Sequence, residues 1–265
     1  MMWLRHWLLA LQFFTRVPVT GRLAGWVGYS PAMLRASAAH FPGIGLLVGA
    51  LAALVAGGLL VLLPPNPYAP LVAAAFSTIA TLLFTGALHE DGLGDVADGL
   101  GGSPDRQRAL EIMKDSRIGS FGALALVLAI ATKLALLALL GAHDVRALCT
   151  GLVLAHVLSR AWPLLLIRCL PHVGDAGGSK SKPLADAISG RALAAGAAWT
   201  ALVVAAVAGL QGPLFVVAPL LASALAFAWV LRLFRRRLQG FTGDCLGTTQ
   251  QVCEIACYLG LAFLP

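Results

Sequence analysis

Apolar and polar positions fall along this chain in long blocks. Near the N-terminus, Trp3, Leu4, Trp7, Leu8, Leu11 and Phe14 recur at helical spacing. Arg16, Val17 and Pro18 close that run. The pattern predicts an amphipathic helix lying in a membrane interface. A cleaved leader fits less well, because the apolar run is short and no small-residue cleavage site follows. Beyond Arg35 come apolar blocks of about 20 residues, each long enough to cross about 30 Å of hydrocarbon. They predict spans over 43–63, 71–88, 122–141, 148–167, 192–210 and 213–231. A seventh, over 246–264, is interrupted by Glu254. Between the first two spans, Pro64-Pro65-Asn66-Pro67-Tyr68 reads as a tight turn without charge. Between the second and third, Ser103 reads as an N-cap, with Pro104 opening a short helix to about Lys114.

Composition fixes the class that these blocks suggest. The chain is 59% hydrophobic and 12% charged, against about 25% charged for a soluble domain, and its mean hydropathy is +0.85. The expected fold is all-α: a polytopic membrane helix bundle of six or seven spans plus the N-terminal interfacial helix, forming a single integral membrane domain over 1–265. The net charge of +7 indicates loops on one side of a bilayer rather than nucleic acid. With the N-terminus inside, sixteen of the nineteen Lys and Arg residues fall in inside segments, so the expected location is the cytoplasmic (inner) membrane. Five cysteines without a C-x-x-C give no disulfide framework and no zinc site. Cys253 and Cys257 read as small helix-packing residues.

Residues 85–122 break the apolar pattern most sharply. Seven of the chain's 12 acidic residues lie there: Glu90, Asp91, Asp95, Asp98, Asp105, Glu111 and Asp115. Asp91, Asp95 and Asp98 stand at i, i+4 and i+7, within roughly 60° of one another on a helix. Carboxylates so close repel unless a cation lies between them, and all-oxygen ligation favours Mg²⁺ or Mn²⁺. A solvated acidic face paired with Arg106, Arg108, Lys114 or Arg117 is the plainer alternative. It leaves Gly92, Gly94 and Gly99 unexplained, since glycines in a helix usually admit a ligand or another backbone. The positive-inside count puts this stretch, the glycine-rich loop after Arg168, and Thr242-Gly243-Asp244 on the cytoplasmic face.

Carboxylates with a hard cation, set among Lys and Arg, suit phosphorylated substrates. A membrane phosphotransferase is the natural reading. A divalent-cation transporter is the rival from another class, although the acids gather in one segment rather than recurring across spans. Lys133 and Arg160 lie inside predicted spans, where a charge is costly and usually functional or paired. They are expected to face a polar cavity beside the carboxylates. His89 adjoins the cluster and suits hydrogen bonding to it or to substrate, whereas His156, a lone histidine in a span, reads more simply as packing.

Residues 88–99 (L-H-E-D-G-L-G-D-V-A-D-G) followed by 109–122 (A-L-E-I-M-K-D-S-R-I-G-S-F-G) resemble the cobalamin synthase family, the adenosylcobinamide-GDP ribazoletransferases. Residues 11–19 (L-Q-F-F-T-R-V-P-V), Phe41-Pro42, Ser159-Arg160 and Thr242-Gly243-Asp244 extend the likeness over nearly the whole chain. It implies transfer from adenosylcobinamide-GDP to α-ribazole or its 5′-phosphate, with release of GMP and a requirement for Mg²⁺. On this likeness Glu90, Asp91, Asp95 and Asp98 are expected at the metal. Asp115 would be a further ligand or the base that takes the hydroxyl proton. His89, Lys114, Arg117, Lys133, Arg160 and Asp244 are the candidates for binding substrate. The expected partners are these small molecules and the bilayer, with an oligomer possible. CDP-alcohol phosphotransferases do related chemistry, but Asp95-Val96 stands where their motif has Ala-Arg, and Asp98 follows too early.

Overall fold

The structure is a computed structural model that describes residues 1–174 and 188–264. Among these residues it is helical without a strand. Helix α1 (Met2–Phe14) is followed by two short helices, α2 (Gly21–Val27) and α3 (Pro31–Ser37), that the sequence pattern did not predict. Ser30 caps α3 by accepting from Met33 N at 3.1 Å, with Pro31 in the first turn. A 3₁₀ turn (Ala38–His40) joins α3 to α4 (Phe41–Leu62). The rest are α5 (Ala69–Thr85), α6 (Leu88–Gly102), α7 (Arg106–Ile112), α8 (Ser120–His143), α9 (Val145–Cys169), α10 (Gly190–Gln211), α11 (Leu214–Arg237) and α12 (Gly243–Ala262).

Among the described residues, five helices are long and apolar enough to cross a membrane: α4 with its lead-in, α8, α9, α10 and α11. The bent pair α5–α6 makes a sixth candidate. At 17 residues, α5 alone reaches about 25 Å. The second span was expected to run straight to Leu88. Instead Gly86 (φ +70°) and Ala87 (φ 57°) both adopt the left-handed conformation, and α6 leaves at 90°. We therefore read α6 as running across the end of the bundle. The seventh expected span is α12, which is too polar to qualify. It lies in the middle of the bundle against α6, α8, α9 and α11, and Thr248, Thr249, Gln250, Gln251 and Glu254 are all buried on it. Cys253 and Cys257 pack it against α11, as small residues should.

One end of the bundle collects the chain's irregular parts. There α5, α9 and α11 finish, α4, α8 and α12 begin, and α6 and α7 lie between them. The cap of α7 is Asp105, whose Oδ1 accepts from Arg108 N at 2.8 Å, so the helix starts two residues later than expected. Ser103 Oγ instead accepts from Asp105 N at 3.1 Å. The basic residues at this end tie helix ends together. Arg237 donates to the carbonyls of Leu100 and Ser103 where α6 ends, and Arg106 donates to Leu238 O after α11. The glycine-rich run over 175–184, with Lys180 and Lys182, lies outside the described residues.

Candidate active site

The acidic helix α6 is wedged between α12 and α8, and glycines set both contacts. A Cβ on Gly92 would sit 2.8 Å from Asp244 O and 2.9 Å from Asp244 Cα, so only a bare backbone lets α12 approach here. Thr248 Oγ1 closes the contact by donating to Gly92 O at 3.0 Å. The glycines of the acidic stretch thus admit another backbone. The contact brings Asp244, in the first turn of α12, to the carboxylates of α6. Burial, then the charges of Asp244, Asp91 and Asp98, push the Asp95 carboxyl up from its ordinary value to about 7. Asp244 is also raised, chiefly by burial, with Asp91 adding to it while Thr242 Oγ1 donates to Asp244 Oδ2 at 3.1 Å and opposes the shift.

Asp98 faces the other way. Its Oδ2 accepts from Gly119 N at 2.7 Å and its Oδ1 from Gly122 N at 2.8 Å. Both oxygens therefore hold the N-terminal turn of α8, where the helix dipole favours a negative charge. Glu90 is turned inward, with Oε1 accepting from Gln251 Nε2 at 2.9 Å and Oε2 buried without a partner. Of the four residues expected at a metal, the structure leaves Asp91 and Asp95 facing Asp244. Sequence spacing missed Asp244 as a carboxylate of this group, because nothing local shows that α12 returns to α6. Among the described residues no three His, Cys, Asp or Glu side chains converge closely enough to cage an ion. The donor set nevertheless fits Mg²⁺, which keeps several waters and is commonly bound by one or two carboxylates plus substrate phosphates.

A cleft of about 670 Å³ opens beside this group. Its walls are the end of α1 (Gln12 to Arg16), the α5–α6 turn with His89 and Asp91, Phe41 of α4, Arg160 and Pro163 of α9, and Gly243 to Gln250 at the start of α12. Thus His89, Asp91, Arg160 and Asp244 meet in one cavity, along with Gln12, Arg16 and Gln250, which the sequence did not single out. A second cleft of about 560 Å³ lies on the Asp98 side, bordered by Arg108, Glu111, Asp115 and Arg117. There Arg117 holds Asp115 through Nη2 to Oδ2 at 2.6 Å on the exposed surface. That pairing keeps the Asp115 carboxyl down at about 2, a poor match for a base at neutral pH. Lys114 lies beside this second cleft in sequence, away from the residues of the first.

Beneath the first cleft runs a buried polar network. Lys133 pairs with Glu254, which also accepts from Gln250 Nε2 and from Tyr258 OH at 3.2 Å and meets His156 Nδ1 at 3.3 Å. Arg160 Nη1 reaches His156 O and Nδ1, each at 3.1 Å. Gln250 also donates to Ser159 Oγ at 3.0 Å. Lys133 was expected to face the cavity, but the structure gives it Glu254 instead. His156, expected only to pack, sits at the junction of the network.

The chain matches the family model for cobalamin-5-phosphate synthase over residues 6–262. Among curated proteins it is 60% identical to the adenosylcobinamide-GDP ribazoletransferase of Albidiferax ferrireducens, covering 98% of both chains. It is 60% identical to the protein so named from a Polaromonas species, over 97% of this chain and 96% of that one. It is 42% identical to the protein so named from Vibrio cholerae, over 98% and 95%. No solved structure matches it.

Proposed function

The chain belongs to the cobalamin-5-phosphate synthase family, and on that premise we propose that it joins adenosylcobinamide-GDP to α-ribazole or its 5′-phosphate within a membrane. In this reaction the ribose 3′-hydroxyl of the acceptor attacks the phosphate on the aminopropanol arm, the diphosphate bond breaks, and GMP leaves. The observation that carries the reading is the meeting of Asp91, Asp95 and Asp244 beside a cleft that also holds Arg160.

In this reading one or two of the carboxylates of Asp91, Asp95 and Asp244, together with substrate phosphate, would hold a Mg²⁺ ion. When bound, such an ion would supply positive charge against the charge that develops on the phosphates. Arg160, lining the cleft, binds a phosphate oxygen. His89, Phe14 and Phe41 lie between the cleft and the core and limit water around the diphosphate. Gln250 orients Glu254 below and faces the cleft above. Asp98 supports the site by fixing α6 to α8, and Asp115 with Arg117 borders the second cleft. A cavity of this size suits a nucleotide-bearing end; a corrinoid ring would stay outside it. The arginine distribution supports an orientation with this end of the bundle toward the cytoplasm, in the inner membrane.

The test is GMP release by purified protein in detergent, given adenosylcobinamide-GDP, α-ribazole and Mg²⁺. Release is expected only when acceptor and metal are both present. Turnover of a CDP-alcohol lipid in place of this reaction would refute the assignment.

A further inference from the structure

The first cleft carries a cation that has no role in the chemistry above. Arg16 follows α1 directly. Its backbone N–H donates to Phe84 O at 2.7 Å, which ties the end of α1 to the end of α5. Its guanidinium lies over Gly86, where an added Cβ would meet Arg16 Nε. Gly86 is favoured by its positive φ, and its bare Cα leaves space that the guanidinium fills.

Several other cations of the chain already have partners. Lys133 pairs with Glu254, Arg108 with Glu111, and Arg117 with Asp115. Arg106 and Arg237 bind carbonyls at helix ends. Arg16 lines the cleft, is exposed, and among the described residues meets no carboxylate. A second observation points to an anion in the same place. Arg160 lines the cleft from α9, is only 4% exposed, and its Nε is buried without a partner. A buried guanidinium N–H left unpaired is costly unless something in the cavity accepts from it.

We propose that Arg16 is a phosphate-binding residue that, with Arg160, clamps the diphosphate of the nucleotide-activated substrate. The proposal rests on the functional reading given above and adds a residue to it. Charge balance supports it. Asp91 and Asp244 already face the cleft, and a diphosphate diester brings two more negative charges. Arg160 is largely committed to a network that contains Glu254. A free guanidinium at the opening supplies the missing positive charge, and its planar fork suits two phosphate oxygens at once.

A lipid phosphate would satisfy Arg16 by the same chemistry, so the test has to separate the two sources. Wild type, Arg16→Gln and Arg16→Lys are purified, reconstituted into nanodiscs of phosphatidylcholine alone or with phosphatidylglycerol, and assayed for GMP release. Arg16→Gln is expected to raise KM for adenosylcobinamide-GDP by about 10–100-fold, the loss of a charge-assisted hydrogen bond. KM for α-ribazole should change less than about twofold. Arg16→Lys should recover part of the loss, and the effect should be the same in both lipids. In parallel, equilibrium dialysis with GDP should show weaker binding by Arg16→Gln than by wild type. An unchanged KM, or a defect seen only with phosphatidylglycerol, overturns the proposal. If wild type releases no GMP, the functional reading fails, and the GDP dialysis still decides Arg16: equal binding by both proteins overturns it.

Discussion

Asp95→Asn should make the protein more stable at alkaline pH, and the size of the gain follows from the site. In the folded chain the Asp95 carboxyl is raised from 3.8 to about 7 by burial and by Asp244, Asp91 and Asp98. Between those values the folded protein keeps a proton that the unfolded chain has lost, so stability falls as pH rises. Below the unfolded value there is no penalty; above about pH 7 it is complete. Three pH units at about 1.4 kcal/mol each give an upper bound of about 4 kcal/mol. Asp95 is only half buried, and solvent screening reduces this to about 1–2 kcal/mol. The variant should then melt about 2–8 °C above wild type at pH 8 and level with it at pH 4. On the proposed reading Mg²⁺ would relieve the same repulsion, and it should then stabilise wild type more than the variant at pH 8. Turnover of the variant should fall by about 100-fold or more. The assay is thermal unfolding in detergent across pH, with and without Mg²⁺, beside GMP release. Parallel pH curves for the two proteins would refute the reasoning, as would a variant less stable than wild type at pH 8.

Two other perturbations separate structural from chemical roles. Lys133→Met leaves the Glu254 charge buried and unpaired, at a cost of about 3–5 kcal/mol, and Lys133→Met with Glu254→Gln should recover most of it in the same unfolding assay. If Lys133 instead bound substrate, the single variant would keep its melting temperature and show a raised KM. Asp98→Ala removes the acceptor for Gly119 N and Gly122 N and should cost about 1–2 kcal/mol. Asp98→Asn keeps one acceptor but sets its amide NH₂ against the other N–H, so it should also lose stability; both variants should keep the Mg²⁺ response, and loss of that response would make Asp98 a ligand.

The membrane class was legible in the sequence because block hydropathy depends on composition alone. The acidic helix was legible too, from the spacing of Asp91, Asp95 and Asp98 and the glycines that follow. The direction of each carboxylate was not. Asp98 binds backbone N–H groups of a helix that starts more than twenty residues later, and Glu90 turns to a glutamine on α12. Long-range packing decides both. The right-angle turn at Gly86 and Ala87 also lay beyond local pattern, since Ala87 gives no signal for a left-handed backbone. Glu254 counted against a seventh span, and it did so for a physical reason: α12 is a polar helix made tolerable by Lys133, His156 and Gln250. What proximity in the sequence could not show, the return of α12 to α6 supplied, and with it Asp244.

The polarity of α12 also bears on how the chain is put together during synthesis. A helix with Gln250, Gln251 and Glu254 inside it gains little by partitioning into lipid on its own, and a single charge near the bilayer centre costs about 2.5–3.5 kcal/mol. Each helix that neutralises or accepts these groups, α6, α8 and α9, precedes α12 in the chain. Without α12, Lys133 lacks its partner Glu254. The earlier helices therefore form an incomplete receptor for the last one, loosened by unmatched positive charge. Docking of α12 neutralises that charge and, in the same motion, carries Asp244 to Gly92. Assembly of the bundle and completion of the acidic site become one event, so a chain stalled before its final helix has no finished site with which to act.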